Sequence, residues 1–188
     1  MKEYTLETDQ VYRYSLIFII PSIIIIAAIY VIIWGYHFRE INLYYDLLED
    51  QSIYERIVKG AIIPFIIFNL GIILHEVIHA VLFAFFCKSG FRSIKIGVQR
   101  KNIIPYVHCK EKLLVSQYRI TLLAPTIFLG LLPMLIAYIN GNSIIWIYSY
   151  VFLIAGSGDI LLFALSIKIP KGTLVMDHPQ KLGFSIKE

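Results

Sequence analysis

Four stretches of this chain stay apolar for about 20 residues or more, which as a helix crosses about 30 Å of hydrocarbon. They run over residues 14–36, 61–87, 120–140 and 143–167. The composition agrees. Of 188 residues, 58% are hydrophobic and 16% charged, against roughly 45–50% and about 25% in a soluble domain. So little charge cannot cover a water-facing surface, which excludes soluble-enzyme, disordered and coiled-coil readings. The length suits a single membrane-embedded domain over residues 1–188. The two cysteines, Cys87 and Cys109, are too few for a disulfide scaffold or an all-cysteine zinc site, and read as free thiols of a reducing compartment.

The first stretch does not read as a cleaved signal peptide. Its apolar run is too long, the residues before it are not rich in basic side chains, and no small-x-small site follows. Gly141 and Asn142 alone separate the third and fourth stretches, so these two should form a tight antiparallel hairpin. The basic residues set the orientation. Placing the N-terminus, the segment between the second and third spans, and the tail on one side collects 14 of the 17 lysines and arginines. The positive-inside rule makes that side cytoplasmic and puts both termini there. The net charge of +4 then reads as orientation and contact with lipid headgroups, not as nucleic-acid binding.

The outer connection, residues 37–60, is acidic, with Glu40, Asp46, Glu49, Asp50 and Glu55. Ile41, Tyr44, Tyr45 and Leu48 recur at helical spacing, as in a short helix lying in the interface. Ser52-Ile53-Tyr54-Glu55 has the form of a capping box, which would start the second helix near Ile53. In the cytoplasmic segment, Phe91, Ile94, Ile96 and Val98 and then Ile103, Ile104, Tyr106 and Val107 are β-formers around Gln99-Arg100-Lys101-Asn102, the pattern of a small hairpin. Beyond Pro170 and Gly172 the tail is polar and is expected to lie against the cytoplasmic face. The expected fold is an all-α integral membrane protein: four transmembrane helices, with a small cytoplasmic β-hairpin between helices two and three.

Apart from tyrosine, cysteine and residues at span ends, four ionisable side chains lie within these stretches: His75, Glu76, His79 and Asp159. A central aspartate costs about 2.5–3.5 kcal/mol on insertion scales, so such groups face a cavity, pair, or bind a metal. Three of them form His75-Glu76-Val77-Ile78-His79, an H-E-x-x-H motif. Residues i and i+4 lie about 40° apart around a helix and about 6 Å along it, so both imidazoles can converge on one ion. Zinc accepts such nitrogens at about 2.0–2.1 Å. Glu76, offset on the same broad face, can reach a water at the ion and act as general base without being a ligand.

Two histidines leave a catalytic zinc site one protein ligand short. Asp159 is the favoured third ligand. The second and fourth spans run in the same direction, and His79 and Asp159 lie at equal distances from their cytoplasmic ends. Gly156, Ser157 and Gly158 allow close helix approach, and Zn²⁺ with ionised Asp159 and Glu76 is neutral. His108 and Glu111 are competing ligands in the cytoplasmic segment. The same four residues would also serve simple pairing between helices, a metal or proton transporter, or an inactive zinc-stabilised scaffold. The outer halves of the second and fourth spans, apolar apart from Asn69 and aromatic or serine positions, argue against transport. Asn69 reads as a packing hydrogen bond or a contact to a substrate backbone, and Pro125 as a kink that opens a cavity.

His75–His79 in one membrane helix with Asp159 in a later one resembles the site-2 protease class of intramembrane zinc metalloproteases. The segments Val107-His108-Cys109-Lys110-Glu111-Lys112, Leu123-Ala124-Pro125, Gly156-Ser157-Gly158-Asp159-Ile160 and Asp177-His178-Pro179 are similar to a bacterial family of membrane zincin peptidases. The resemblance covers about residues 70–184. It implies a multi-pass protein of the bacterial cell membrane. Two histidines and an aspartate would hold zinc, Glu76 would activate water, and the substrate would be a membrane or membrane-proximal protein.

Overall fold

The structure is a computed structural model that describes residues 2–35, 39–99, 104–178 and 181–186. Strand β1 (Lys2–Leu6) leads into helix α1 (Thr8–Trp34), and α2 (Arg39–Glu49) follows. Helix α3 runs from Ile53 to Phe86, and a 3₁₀ turn, Gly90–Ser93, joins it to β2 (Ile94–Gln99) and β3 (Ile104–Cys109). After β4 (Lys112–Leu114) come α4 (Val115–Asn140), α5 (Ser143–Ala155) and α6 (Ser157–Ser166). The chain ends in β5 (Leu174–Asp177) and β6 (Leu182–Ile186).

The expectation of an all-α protein with four spans is corrected on both counts. Among the described residues six strands form two antiparallel sheets, β2–β3 and a four-stranded sheet of order β1-β6-β5-β4. The hairpin is one of these sheets, and its turn at residues 100–103 lies outside the described residues. Among the described residues two helices, α3 and α4, are long and apolar enough to cross a membrane, or three if α5 and α6 count as one span. Those two are bent by 48° at Gly156, so the fourth stretch is broken, not continuous. The first stretch lies in the 27-residue helix α1, of which Ile24–Trp34 is apolar among the described residues, and Tyr36, its expected end, lies outside the described residues.

Local chemistry accounts for the helix limits. Ser52 caps α3: its hydroxyl accepts from the Glu55 N–H and the Glu55 carboxylate returns to the Ser52 N–H, a reciprocal box. Two π-turns interrupt α3 and α4, at Val58–Ile62 and Thr126–Leu131. Each runs up to a proline, Pro64 or Pro133, whose missing N–H leaves a helical carbonyl free and makes a wider turn inexpensive. Gly141 ends α4 in the left-handed region at φ 71°, where Cβ-free backbone is favoured. Asn142 then caps α5 by accepting from the Ile145 N–H at 2.9 Å. The two-residue connection is as tight as its sequence implied.

The helices and the larger sheet meet in one core. Phe83 from α3 and Cys87 just past its end, Tyr118 and Leu122 from α4, and Leu162 from α6 pack on Cys109, Val175 and Phe184 from the strands. At the other end, α1 is tied to the α4–α5 hairpin: the Tyr30 hydroxyl donates to the Gly141 carbonyl at 2.7 Å, and the Tyr138 hydroxyl to that of Ile26 at 2.7 Å. Helix α3 differs from α4. None of its most apolar 18-residue window is buried, against 44% for α4. An apolar surface of that extent requires a non-aqueous surrounding, so the protein associates with a membrane.

Candidate metal centre

Helix α3 delivers His75 and His79 from adjacent turns, and α6 delivers Asp159 from its first turn, just past the Gly156 break. A helix N-terminus favours a negative side chain. Close packing brings the elements together. A Cβ at Gly71 would lie 2.0 Å from the Phe152 ring, and one at Gly156 would lie 2.1 Å from Thr126 Oγ1. Only glycine lets α5 approach α3 and lets the bend approach α4. The Ser15 and Ser157 hydroxyls, 3.3 Å apart, also fix the start of α6 against α1.

The three side chains form a compact triangle. His75 Nε2 lies 3.0 Å and His79 Nε2 lies 3.3 Å from Asp159 Oδ2, and the two nitrogens are 3.2 Å apart. Ligands placed tetrahedrally at 2.0–2.1 Å from zinc are about 3.3 Å from one another, so the triangle has the dimensions of a zinc site. Its side chains are largely buried, at 11%, 9% and 17% exposure. Donor chemistry agrees. His79 Nδ1–H donates to the Thr121 carbonyl at 3.0 Å, which leaves the Nε2 lone pair directed into the triangle and is the usual outer support of a metal-binding histidine. Among the described residues no other histidine, cysteine or acidic side chain shares the cluster.

Glu76 stands beside the triangle, not in it. The charges of His79, His75 and Asp159 all act on its carboxylate, and the backbone N–H of Val107 in β3 faces it. The register of the hairpin explains why that N–H is available. Pro105, which has no N–H to give, pairs with Val98, so this is a position without ladder hydrogen bonds. Such positions alternate along an antiparallel pair, so Val107 opposite Ile96 is another, with its N–H and C=O turned away from β2.

The two competing candidates have other partners. His108 Nδ1 lies 2.9 Å from Asp177 Oδ2, and Asp177 Oδ1 accepts from the Tyr118 hydroxyl at 3.1 Å. Glu111 accepts from the backbone N–H groups of Lys88 and Ser89, at 2.9 and 3.1 Å, and from the Ser93 hydroxyl. These bonds, the Ser93 bond foremost, hold its carboxyl down at about 2. The Asn69 amide donates to the Phe65 carbonyl of its own helix at 2.7 Å. Cys87 and Cys109 are free and buried, with sulfurs 2.9 Å apart. Burial, then the Cys87 hydrogen bond, pushes the Cys109 thiol up to about 12.

The His108–Asp177–Tyr118 network was not anticipated from sequence. Its one linear trace is the polar Asp177-His178 at the end of an otherwise apolar Leu174-Val175-Met176 run. Nothing in that trace names the partners.

Two histidines one helical turn apart, closed by a carboxylate into a triangle of zinc dimensions, define a candidate zinc centre in a membrane-associated helical protein. Residues 68–174 match the family described as "Putative zincin peptidase", and the chain belongs to that family. Membership implies zinc and metallopeptidase chemistry. No curated protein and no solved structure matches the chain.

Proposed function

We propose that this chain is a membrane-embedded zinc metallopeptidase of the site-2 protease type. In this reading His75, His79 and Asp159 hold the metal, and Glu76 is the general base. The observation that carries it is the triangle of Nε2, Nε2 and Oδ2 atoms with sides of 3.0–3.3 Å. Zinc, when bound, polarises a scissile carbonyl and lowers the pKa of water toward about 7.

The remaining work falls to the chain. The Thr121 carbonyl holds His79 in the tautomer that presents Nε2. Glu76 takes the proton from the attacking water and passes it to the departing amine nitrogen, with the Val107 N–H facing its carboxylate. A helical substrate hides its carbonyls in its own hydrogen bonds, so it must be drawn out before attack. Strand β3 has no strand on its outer side among the described residues, and this free edge runs past Glu76. A substrate added there as a strand would be held extended at the base.

The sheet supports the proposed topology. It joins β1, β4, β5 and β6, so the N-terminus, the segment before α4 and the tail share one end of the molecule. That end carries most of the positive charge and is cytoplasmic in this reading. Substrates are membrane or membrane-proximal proteins, cleaved near that face. The whole chain acts as one domain.

Metal analysis of single variants tests the ligand set. His75→Ala, His79→Ala and Asp159→Ala should each lose most of one zinc per chain, and His108→Ala and Glu111→Ala should keep it. Full zinc in Asp159→Ala with loss in Glu111→Ala would overturn the assignment.

A further inference from the structure

A second polar feature lies outside the metal centre, where α3 leaves the apolar region. A cavity of about 600 Å³ opens there, lined by Lys88, Ser89, Arg92, Ser93, Lys110 and Glu111. Three of these are cations and one is an acid, so the lining keeps an excess of positive charge. Glu111 spends its carboxylate on the backbone N–H groups of Lys88 and Ser89 and on the Ser93 hydroxyl. No salt bridge to Lys88, Arg92 or Lys110 forms among the described residues. Glu111 acts as a post instead. It fastens the turn after α3, and the Lys110 N–H donates to the Ser93 carbonyl at 3.0 Å, so all three cations project from one braced frame.

An excess of positive charge on a braced frame attracts an anion. The surroundings indicate which anion. Phe85 and Phe91 flank the cations and are 78% and 66% exposed. Aromatic rings beside lysine and arginine at the end of an apolar helix mark the headgroup level of a bilayer. We propose that this cavity binds the phosphate of an anionic phospholipid, with Lys88, Arg92 and Lys110 on the phosphate and Phe85 and Phe91 against the acyl chains. The site rests on membrane association and does not depend on the peptidase reading. A lipid held there would fix the depth of α3, and with it that of His75 and His79.

The test uses the full chain in mild detergent, stripped of lipid, with dioleoylphosphatidylglycerol and dioleoylphosphatidylcholine as probes. Native mass spectrometry counts bound lipid, and an unfolding curve confirms that each variant is folded. A cation near an anionic surface is worth about a five-fold change in affinity. The wild type should therefore prefer phosphatidylglycerol by ten-fold or more (about two such contacts), and added salt should weaken that preference. The combined variant Lys88→Gln, Arg92→Gln, Lys110→Gln should bind the two lipids alike, whereas Lys88→Arg with Lys110→Arg should keep the preference. Arg92→Gln and Lys110→Gln alone should each lose several-fold, so the result stands even if the combined variant does not fold. Equal binding of both lipids by the wild type, or an unchanged preference in the single variants, would overturn the proposal. Inorganic phosphate competing at the same concentration as phosphatidylglycerol would also overturn it, by showing a free-anion site. Displacement of the lipid by an acidic peptide at lower concentration would do the same in favour of a peptide partner.

Discussion

Replacing Gly156 by alanine isolates the close approach that places Asp159. Backbone strain plays little part, because Gly156 sits at φ −75° and ψ 4°, a turn conformation open to alanine as well. The cost is steric. A Cβ would lie 2.1 Å from Thr126 Oγ1, 3.2 Å from Thr126 Cβ and 3.3 Å from Cγ2. Ordinary contact begins at 3.4 Å, so the bend must retreat by about 1.3 Å or Thr126 must move. Overpacking of this kind costs about 1–3 kcal/mol. Asp159 is three residues on, and ligand distances hold within about 0.2 Å, so zinc occupancy should fall too.

The same geometry contains its own control. Thr126 Oγ1 is buried without a hydrogen-bond partner among the described residues, so Thr126→Ala should be nearly neutral, since it removes an unpaired hydroxyl. It also removes two of the three clashing atoms. The double variant should recover most of the stability and zinc lost by Gly156→Ala, with a coupling energy of about 1–3 kcal/mol. Denaturant titration in mixed micelles, with metal analysis, measures both. Full zinc and unchanged stability in Gly156→Ala, or no recovery in the double variant, would refute the claim that this contact sets the site.

Two further outcomes follow from the charges. A cysteine placed at Asp50 should react with an impermeant thiol reagent on intact cells, and one at Lys171 only after permeabilisation; the reverse pattern would invert the topology. The second concerns Glu111, whose carboxyl is held down at about 2 by Ser93, Ser89 and Lys88 donors. Its folded value lies below its unfolded value, so its contribution is complete above about 4.3 and is lost as pH falls toward 2. Glu111→Gln should therefore be less stable than wild type at pH 7 and should show a flatter stability profile between those limits. Parallel profiles would contradict this.

The site was far more legible in the sequence than the scaffold around it. His75, Glu76, His79 and Asp159 stand out because hydrocarbon penalises each of them, so four within apolar stretches imply a shared purpose. The Ser52 cap and the Gly141-Asn142 turn were legible for a related reason: their chemistry is local. The larger sheet was not. Lys2 pairs with Ile186 and Val175 with Ile186, contacts that no local window contains, and the strands of that sheet are five residues long or fewer. The alternation Leu182, Phe184, Ile186 was present, but the polar residues around it concealed its partner. Hydropathy also averages over a helix, so it read 143–167 as continuous. The 48° bend falls at Gly156, which lies against Thr126, a contact that only the assembled structure reveals.

The most direct test of the central claim compares wild type with Glu76→Gln. The substitution keeps the size of the side chain and removes its proton acceptor. Zinc content and cleavage should be measured together, on membrane peptides with a helix-breaking segment near the cytoplasmic interface. The account predicts equal zinc in both proteins and a rate lower by about 10²–10⁴-fold in the variant, the usual contribution of a general base. Equal cleavage by both proteins would contradict the peptidase mechanism, and loss of zinc in Glu76→Gln would make Glu76 a ligand instead of the base.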